Sequence, residues 1–198
     1  MKSVLISIQS KWCELIASGK KTVEVRKTRP KLETPFKVYI YMTKSNLTGD
    51  KKAYKDRMAG KVIGEFVCDW VESTPLWRIK GNTGFCAKRT NREEHLPQMA
   101  CLSLEELEKY AGSVNRLIYG WHISNLVIYD EPKELSEFYH DCGEIPKCDG
   151  CKFHCVESNE SVGYYEECCS LIEYCKQITR PPQSWCYVET TLNYYKIL

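Results

Sequence analysis

The sequence predicts an α+β fold, on three observations. Segments 3–8, 22–26, 36–42 and 60–71 alternate or run apolar over a strand's length. Between and after them stand short stretches with helical spacing or helix-capping residues. The chain has 198 residues, 43% of them hydrophobic, which is enough for one domain with its own core and an insertion.

The elements follow in order. Residues 3–8 read as a first strand. Ser10 is placed to cap a helix over 11–18, in which Trp12, Leu15 and Ile16 form one apolar stripe. Gly19 ends that helix, where a residue without a side chain takes positive φ at no cost. Residues 22–26 alternate, with Val23 and Val25 on one face and Thr22, Glu24 and Arg26 on the other, as in a half-buried strand. Pro30 and Pro35 bracket a turn before a third strand over 36–42. Residues 44–59 are polar, with a short helix expected at their end, and 60–71 read as one long strand. Within 73–98 a short helix is expected near Leu76 and Trp77. Ser103 and Glu106 form a capping box that opens a helix to about Tyr110. Residues 116–129 carry one or more strands, and Pro132, Leu135 and Phe138 form a connector pinned to the core. A final strand follows Pro181-Pro182.

Composition changes over 139–177. Seven of the twelve cysteines lie there, with eight acids against three lysines and no strand period. This stretch reads as an insertion into a single domain that spans 1–198. The apolar run at the N-terminus is short and alternating, unlike a signal peptide, and nothing approaches the length of a membrane span. The expected location is therefore the cytoplasm, where thiols stay reduced and twelve cysteines suggest a metal site or a thiol-rich core.

Cys148-x-x-Cys151 with Cys155 has the close spacing that wraps a metal ion. Four thiolates drawn from Cys142, Cys148, Cys151, Cys155, Cys168 and Cys175 would hold a structural zinc, with His154 in reserve. The other reading is a thiol-rich loop without metal. The same acidic, cysteine-rich stretch is a candidate surface for a protein partner. Cys13, Cys68, Cys86, Cys101 and Cys186 sit mostly on apolar runs and read as small core residues. Trp121-His122 also reads as core, and no histidine is assigned a catalytic role.

The formal net charge is only +2, which argues against a general nucleic-acid coat and for a local patch. Lys20, Lys21, Arg26, Lys27, Arg29 and Lys31 make such a patch, with Glu24 the one acid among them. Within it Gly19, Lys21, Glu24 and Arg26 set a carboxylate, an ammonium and a guanidinium beside a helix end. Arginine grips phosphate with two parallel bonds, lysine supplies a point charge, and a carboxylate accepts from an exocyclic amine of a base. The same spacing equally suits an ion pair of Glu24 with Arg26 or Lys21.

The pattern Gly19-x-Lys21-x-x-Glu24-x-Arg26, after one strand and one helix, resembles the signature of ASCH domains, a branch of the PUA-like superfamily. The likeness extends through Leu5-Ile6-Ser7-Ile8, Val38-Tyr39-Ile40-Tyr41, Lys61-Val62-Ile63-Gly64-Glu65-Phe66, Tyr119-Gly120-Trp121-His122-Ile123 and Pro182-Gln183-Ser184-Trp185-Cys186-Tyr187-Val188. It covers residues 1–138 and 178–190, leaving the cysteine-rich stretch outside the common core. The resemblance implies a partly open mixed β-barrel with flanking helices and a cleft that binds RNA or a modified nucleotide. Position by position it implies Lys21, Glu24 and Arg26 as cleft residues, with Gly19 shaping the turn and Lys27 beside them. Ser7, Tyr41, Gln183, Ser184 and Trp185 are further ligand candidates, Gln183 to read a base edge and Trp185 to stack on one. Some PUA-like relatives are amidohydrolases that deacylate a modified cytidine, with a lysine where Lys21 stands and a threonine where Glu24 stands. Here Glu24 removes one part of that machinery. The alternative function is thus a hydrolase on RNA or acylated nucleosides, with Lys21 and Glu24 as its acid and base.

Overall fold

The computed structural model describes residues 2–44, 57–79, 82–85, 96–112, 116–140 and 177–189. Ten strands and three whole α-helices lie in these residues, together with helical residues at 57–58, where the sequence predicts a short helix. They run β1 (Ser3–Ile8), α1 (Ser10–Ala17), β2 (Val23–Arg26), β3 (Phe36–Met42), β4 (Val62–Cys68), β5 (Val71–Ile79) and β6 (Asn82–Phe85). Then come α2 (Leu96–Ala100), α3 (Leu104–Ala111), β7 (Leu117–His122), β8 (Ser124–Lys133), a 3₁₀ turn (Leu135–Glu137), β9 (Tyr139–His140) and β10 (Trp185–Glu189). Among the described residues no helix is long and apolar enough to cross a membrane.

The strands make a mixed α+β fold of two sheets. One is six-stranded in the order β8-β4-β3-β1-β10-β9, and the other four-stranded in the order β2-β7-β5-β6. β1 runs parallel to β3, with Ser7 opposite Tyr41, and antiparallel to β10, with Ile6 opposite Trp185. The described strands stand as two sheets rather than the expected partly open barrel, since no pairing among them joins one sheet to the other.

Alternation along β1 explains the layering. Val4, Ile6 and Ile8 point between the sheets, where they meet Val38, Ile40, Phe66 and Trp121, with Cys13 and Ile16 of α1. Leu5 points outward to Tyr39, Phe138, Ile178 and Val188. The four-stranded sheet is covered outside by α2 and α3, whose Leu96, Ala100, Leu107 and Ala111 pack on Val23, Val25 and Ile118. Each large apolar side chain so buried contributes about 1.5–3 kcal/mol.

Several expectations are corrected. Ser10 does not cap α1; it is the helix's first residue, and Gln9 is the N-cap, its carbonyl accepting from Trp12 and Cys13. Extended φ and ψ at Gln9 start the helix without a side-chain bond. The single strand over 60–71 is two strands, broken at Asp69 and Trp70. The helix expected near Leu76 and Trp77 is part of β5, which pairs with β7 over Val71–Pro75 and with β6 over Leu76–Ile79. Cross-strand pairing on both halves outweighs the local sequence there. β2 is buried on both faces rather than one, because α2 and α3 cover one side and the core the other. Trp121 is core at 0% exposure, whereas His122 is half-buried and bonded to Asp69 at 2.6 Å.

Other expectations hold. Gly19 has φ of 71° after the C-cap Ser18. The Ser103–Glu106 capping box is formed in both directions, at 3.1 and 2.9 Å. The cysteine-rich stretch, with Cys142, Cys148, Cys151, Cys155, Cys168 and Cys175, lies outside the described residues. Its two ends meet, Tyr139 bridging Gln177 and the Ile178 N–H donating to the Phe138 carbonyl. Among the described residues no group of three or more His, Cys, Asp or Glu side chains is gathered to hold a metal.

Candidate functional site

The signature segment lies at the edge of the four-stranded sheet. α1 ends at Gly19, and the turn that follows is fixed by the Lys21 N–H on the Leu15 carbonyl and the Thr22 N–H on the Met99 carbonyl. β2 then pairs with β7, setting Glu24 opposite Trp121 and Arg26 opposite Tyr119. This register sends Glu24 and Arg26 to the inner face of the sheet, toward the six-stranded layer.

There the three charges join in one buried network. Lys21 is 2% exposed, Glu24 6% and Arg26 7%. Glu24 Oε1 meets Arg26 Nη2 at 3.0 Å and its Oε2 meets Lys21 Nζ at 3.4 Å. Lys21 Nζ also donates to the Ala100 carbonyl at 2.6 Å, and Arg26 Nη2 to the Ser7 carbonyl at 2.7 Å. Arg26 Nη1 reaches Ser184 Oγ at 3.4 Å, while its Nε is buried with no hydrogen-bond partner among the described residues. Burial pulls the Lys21 ammonium below the usual lysine range, against the pull of Glu24. The two sequence readings, site and ion pair, therefore describe the same residues.

The network is the floor of an open cleft of about 1250 Å³. α1 lines it with Lys11 and Trp12, and α3 with Glu106, Lys109 and Tyr110. The segment 181–184 closes a third side. Ser7 anchors it, its Oγ donating to the Pro182 carbonyl at 2.6 Å and its N–H to the Ser184 carbonyl at 2.9 Å. Tyr110 stands against Arg26 and the Lys27 backbone, and burial pushes its phenol above the ordinary range.

Of the residues expected from the sequence, Ser7, Lys21, Glu24, Arg26, Lys27, Gln183 and Ser184 line this cleft. Three do not. Gly19 sits in the turn behind it. Tyr41 is buried with Leu5, Tyr39 and Phe138 on the outer side of the six-stranded sheet. Trp185 packs on Trp121 and Tyr187, its indole N–H donating to Thr28 Oγ1 at 3.0 Å. Lys11, Trp12, Lys109 and Tyr110 line the cleft without having been singled out. Trp12 belongs by its spacing to the apolar stripe of α1, and no local pattern reveals that α1 and α3 line one cleft.

Among protein-family models, the ASCH domain matches residues 6–111, which hold α1, the signature segment and α3. The chain belongs to the ASCH domain family. No curated protein sequence matches it significantly. A crystal structure of ASCH from Zymomonas mobilis is similar in fold, with a TM-score of 0.52 at 16% identity, covering 94% of this chain and 87% of that one. A serine-to-alanine mutant of the Zymomonas mobilis protein gives the same TM-score and identity, over 94% of this chain and 88% of its own. At that identity the likeness concerns the ASCH fold alone. The cysteine-rich stretch lies outside the residues matched by the family.

Proposed function

We propose that this ASCH protein binds RNA or a modified nucleotide in the cleft over Lys21, Glu24 and Arg26. One observation carries the reading: among the described residues five cationic side chains line the cleft against two carboxylates, in a chain whose net charge is only +2. Positive charge is concentrated where a concave surface can focus it, which favours an anionic ligand of small size. Gln183 is exposed at the rim and supplies both a donor and an acceptor for a base edge. Titration of single-stranded RNA and of ribonucleotides, followed by backbone NMR, tests this. Saturable, salt-weakened binding with shifts centred on Glu24, Lys27 and Gln183 supports it. No binding, or binding that leaves those residues unmoved, rejects it.

A second reading is a hydrolase on RNA or acylated nucleosides. It is favoured by the lowered proton affinity of Lys21 beside Glu24, which suits an acid/base pair. Against it, both groups are held by Arg26 and the Ala100 carbonyl. Incubation with both substrates and mass analysis decides; turnover no faster than in Lys21→Ala removes the reading. A structural zinc in the cysteine-rich stretch remains a proposal from its sequence, tested by metal analysis of protein purified without chelator.

A further inference from the structure

We infer that Lys11, Lys27 and Lys109 form a phosphate-binding rim, so that the cleft selects a phosphate-bearing nucleotide over the free nucleoside. This rests on the nucleotide reading of the cleft and adds to it which group of the ligand is gripped and by what.

The floor is poorly suited to the task. Glu24 lies between Lys21 and Arg26, and each cation spends a further donor on a main-chain carbonyl, Ala100 or Ser7. A phosphate driven onto the floor would meet the Glu24 carboxylate and have to displace bonds already made. The rim differs in each respect. Lys11, Lys27 and Lys109 are exposed and come from three separate elements: α1, the turn after β2, and the last turn of α3. They therefore line the cleft from three elements instead of forming one stripe on a single helix.

Two of them are held in position. Lys11 Nζ lies 4.1 Å from the centre of the Trp12 ring, and Lys27 Nζ lies 5.2 Å from that of Tyr110. Trp12 carries the Lys21 ammonium as well, at 5.2 Å. Cation–π contact restrains a flexible lysine and leaves the N–H groups that do not face the ring for a ligand. The two aromatic residues of the cleft thus serve the lysines as supports, which makes phosphate the stronger handle at the mouth than a stacked base. Glu106 is the one carboxylate among the rim's lining residues, and its Oε2 is engaged by the Ser103 N–H in the α3 capping box.

The experiment is calorimetric titration of the wild type and of the triple variant Lys11→Gln, Lys27→Gln, Lys109→Gln. The probes are the four ribonucleosides, their 5′-monophosphates and a mixed-sequence single-stranded hexaribonucleotide. The expected result is a preference of about tenfold or more for monophosphate over nucleoside in the wild type at low salt. The triple variant loses that preference and shows a shallower salt dependence with the hexaribonucleotide. Single substitutions give graded losses, and since all three side chains are exposed the melting temperature reports that the variants fold. Equal binding of nucleoside and monophosphate by the wild type, or an undiminished preference in the triple variant, overturns the rim while leaving the nucleotide reading intact. Failure of every probe to bind the wild type overturns both.

Discussion

Arg26 reaches from the four-stranded sheet to the six-stranded one, its Nη2 donating to the main-chain carbonyl of Ser7 at 2.7 Å. The same nitrogen holds Glu24 at 3.0 Å, and Nη1 touches Ser184. One guanidinium therefore ties β2, β1 and the segment before β10 together at the base of the cleft. A planar fork with donors on two edges can do this, and a single ammonium cannot.

Removing that fork should be costly. Arg26→Ala leaves Glu24 buried with Lys21 as its remaining cation, and breaking a buried ionic group in this way costs about 3–5 kcal/mol. Arg26→Lys keeps the charge but cannot reach Glu24, Ser7 and Ser184 at once, so it should lose stability too, by less. Urea denaturation of the two variants checks the order. A loss in Arg26→Ala no larger than that of an exposed substitution such as Arg29→Ala would show that the network contributes little.

Lys21 makes a pH-dependent contribution of definite sign. Burial lowers its proton affinity in the folded state below the unfolded value of 10.5. The unfolded chain then binds more protons between the lowered folded pKa and 10.5, and stability due to this group rises with pH across that window. Lys21→Met removes the effect. The difference in unfolding free energy, wild type minus Lys21→Met, should be flat below the window and climb through it. Denaturation at a series of alkaline pH values measures it, and a difference that falls with pH contradicts the account.

Glu65 acts in the opposite direction. Burial alone would raise its carboxyl, but hydrogen bonds from Lys37 at 2.7 Å and Tyr129 at 2.6 Å outweigh that and hold it below the ordinary 4.5. Its stabilisation is present above the unfolded pKa and disappears as pH falls through the lower folded one. Tyr129→Phe should flatten the acid limb of the stability profile. An acid limb unchanged in Tyr129→Phe, followed by circular dichroism, would assign acid unfolding to other carboxylates.

Gly64 is required by contact. A Cβ there would stand 2.4 Å from the Val127 carbonyl oxygen on β8, where backbone and not a flexible side-chain end is the obstacle. Gly64→Ala should loosen the β4–β8 pairing and destabilise the protein by about 1–3 kcal/mol. Faster amide exchange at Val127 and Ile128 is the local signature, and unaltered exchange there would mean the strands yield without cost.

Much of the fold was legible because it is written in local pattern. The alternation of β1, the apolar run of β3, the capping box of α3 and the glycine just past α1 all depend on neighbours within a few residues, and each is present in the structure. The signature Gly19, Lys21, Glu24 and Arg26 was legible for the same reason, since residues two apart on a strand share a face. The break of β4 from β5 at Asp69 and the strand at Leu76–Ile79 were not, because pairing with β7 and β6 decides them across the sheet.

Sequence by itself determined which charged groups would stand together and that they would stand beside a helix end. Tertiary structure alone decided how far they are buried, and that Lys11 and Trp12 of α1 line one cleft with Lys109 and Tyr110 of α3. Burial and the shared cleft depend on how the two sheets pack, and Arg26 meets Ser7 only because β2 and β1 are brought together from different layers. The charges of the signature are visible in the sequence, but their pairing, in which Glu24 offsets one of the two cations, and their burial at the base of the cleft belong to the folded state.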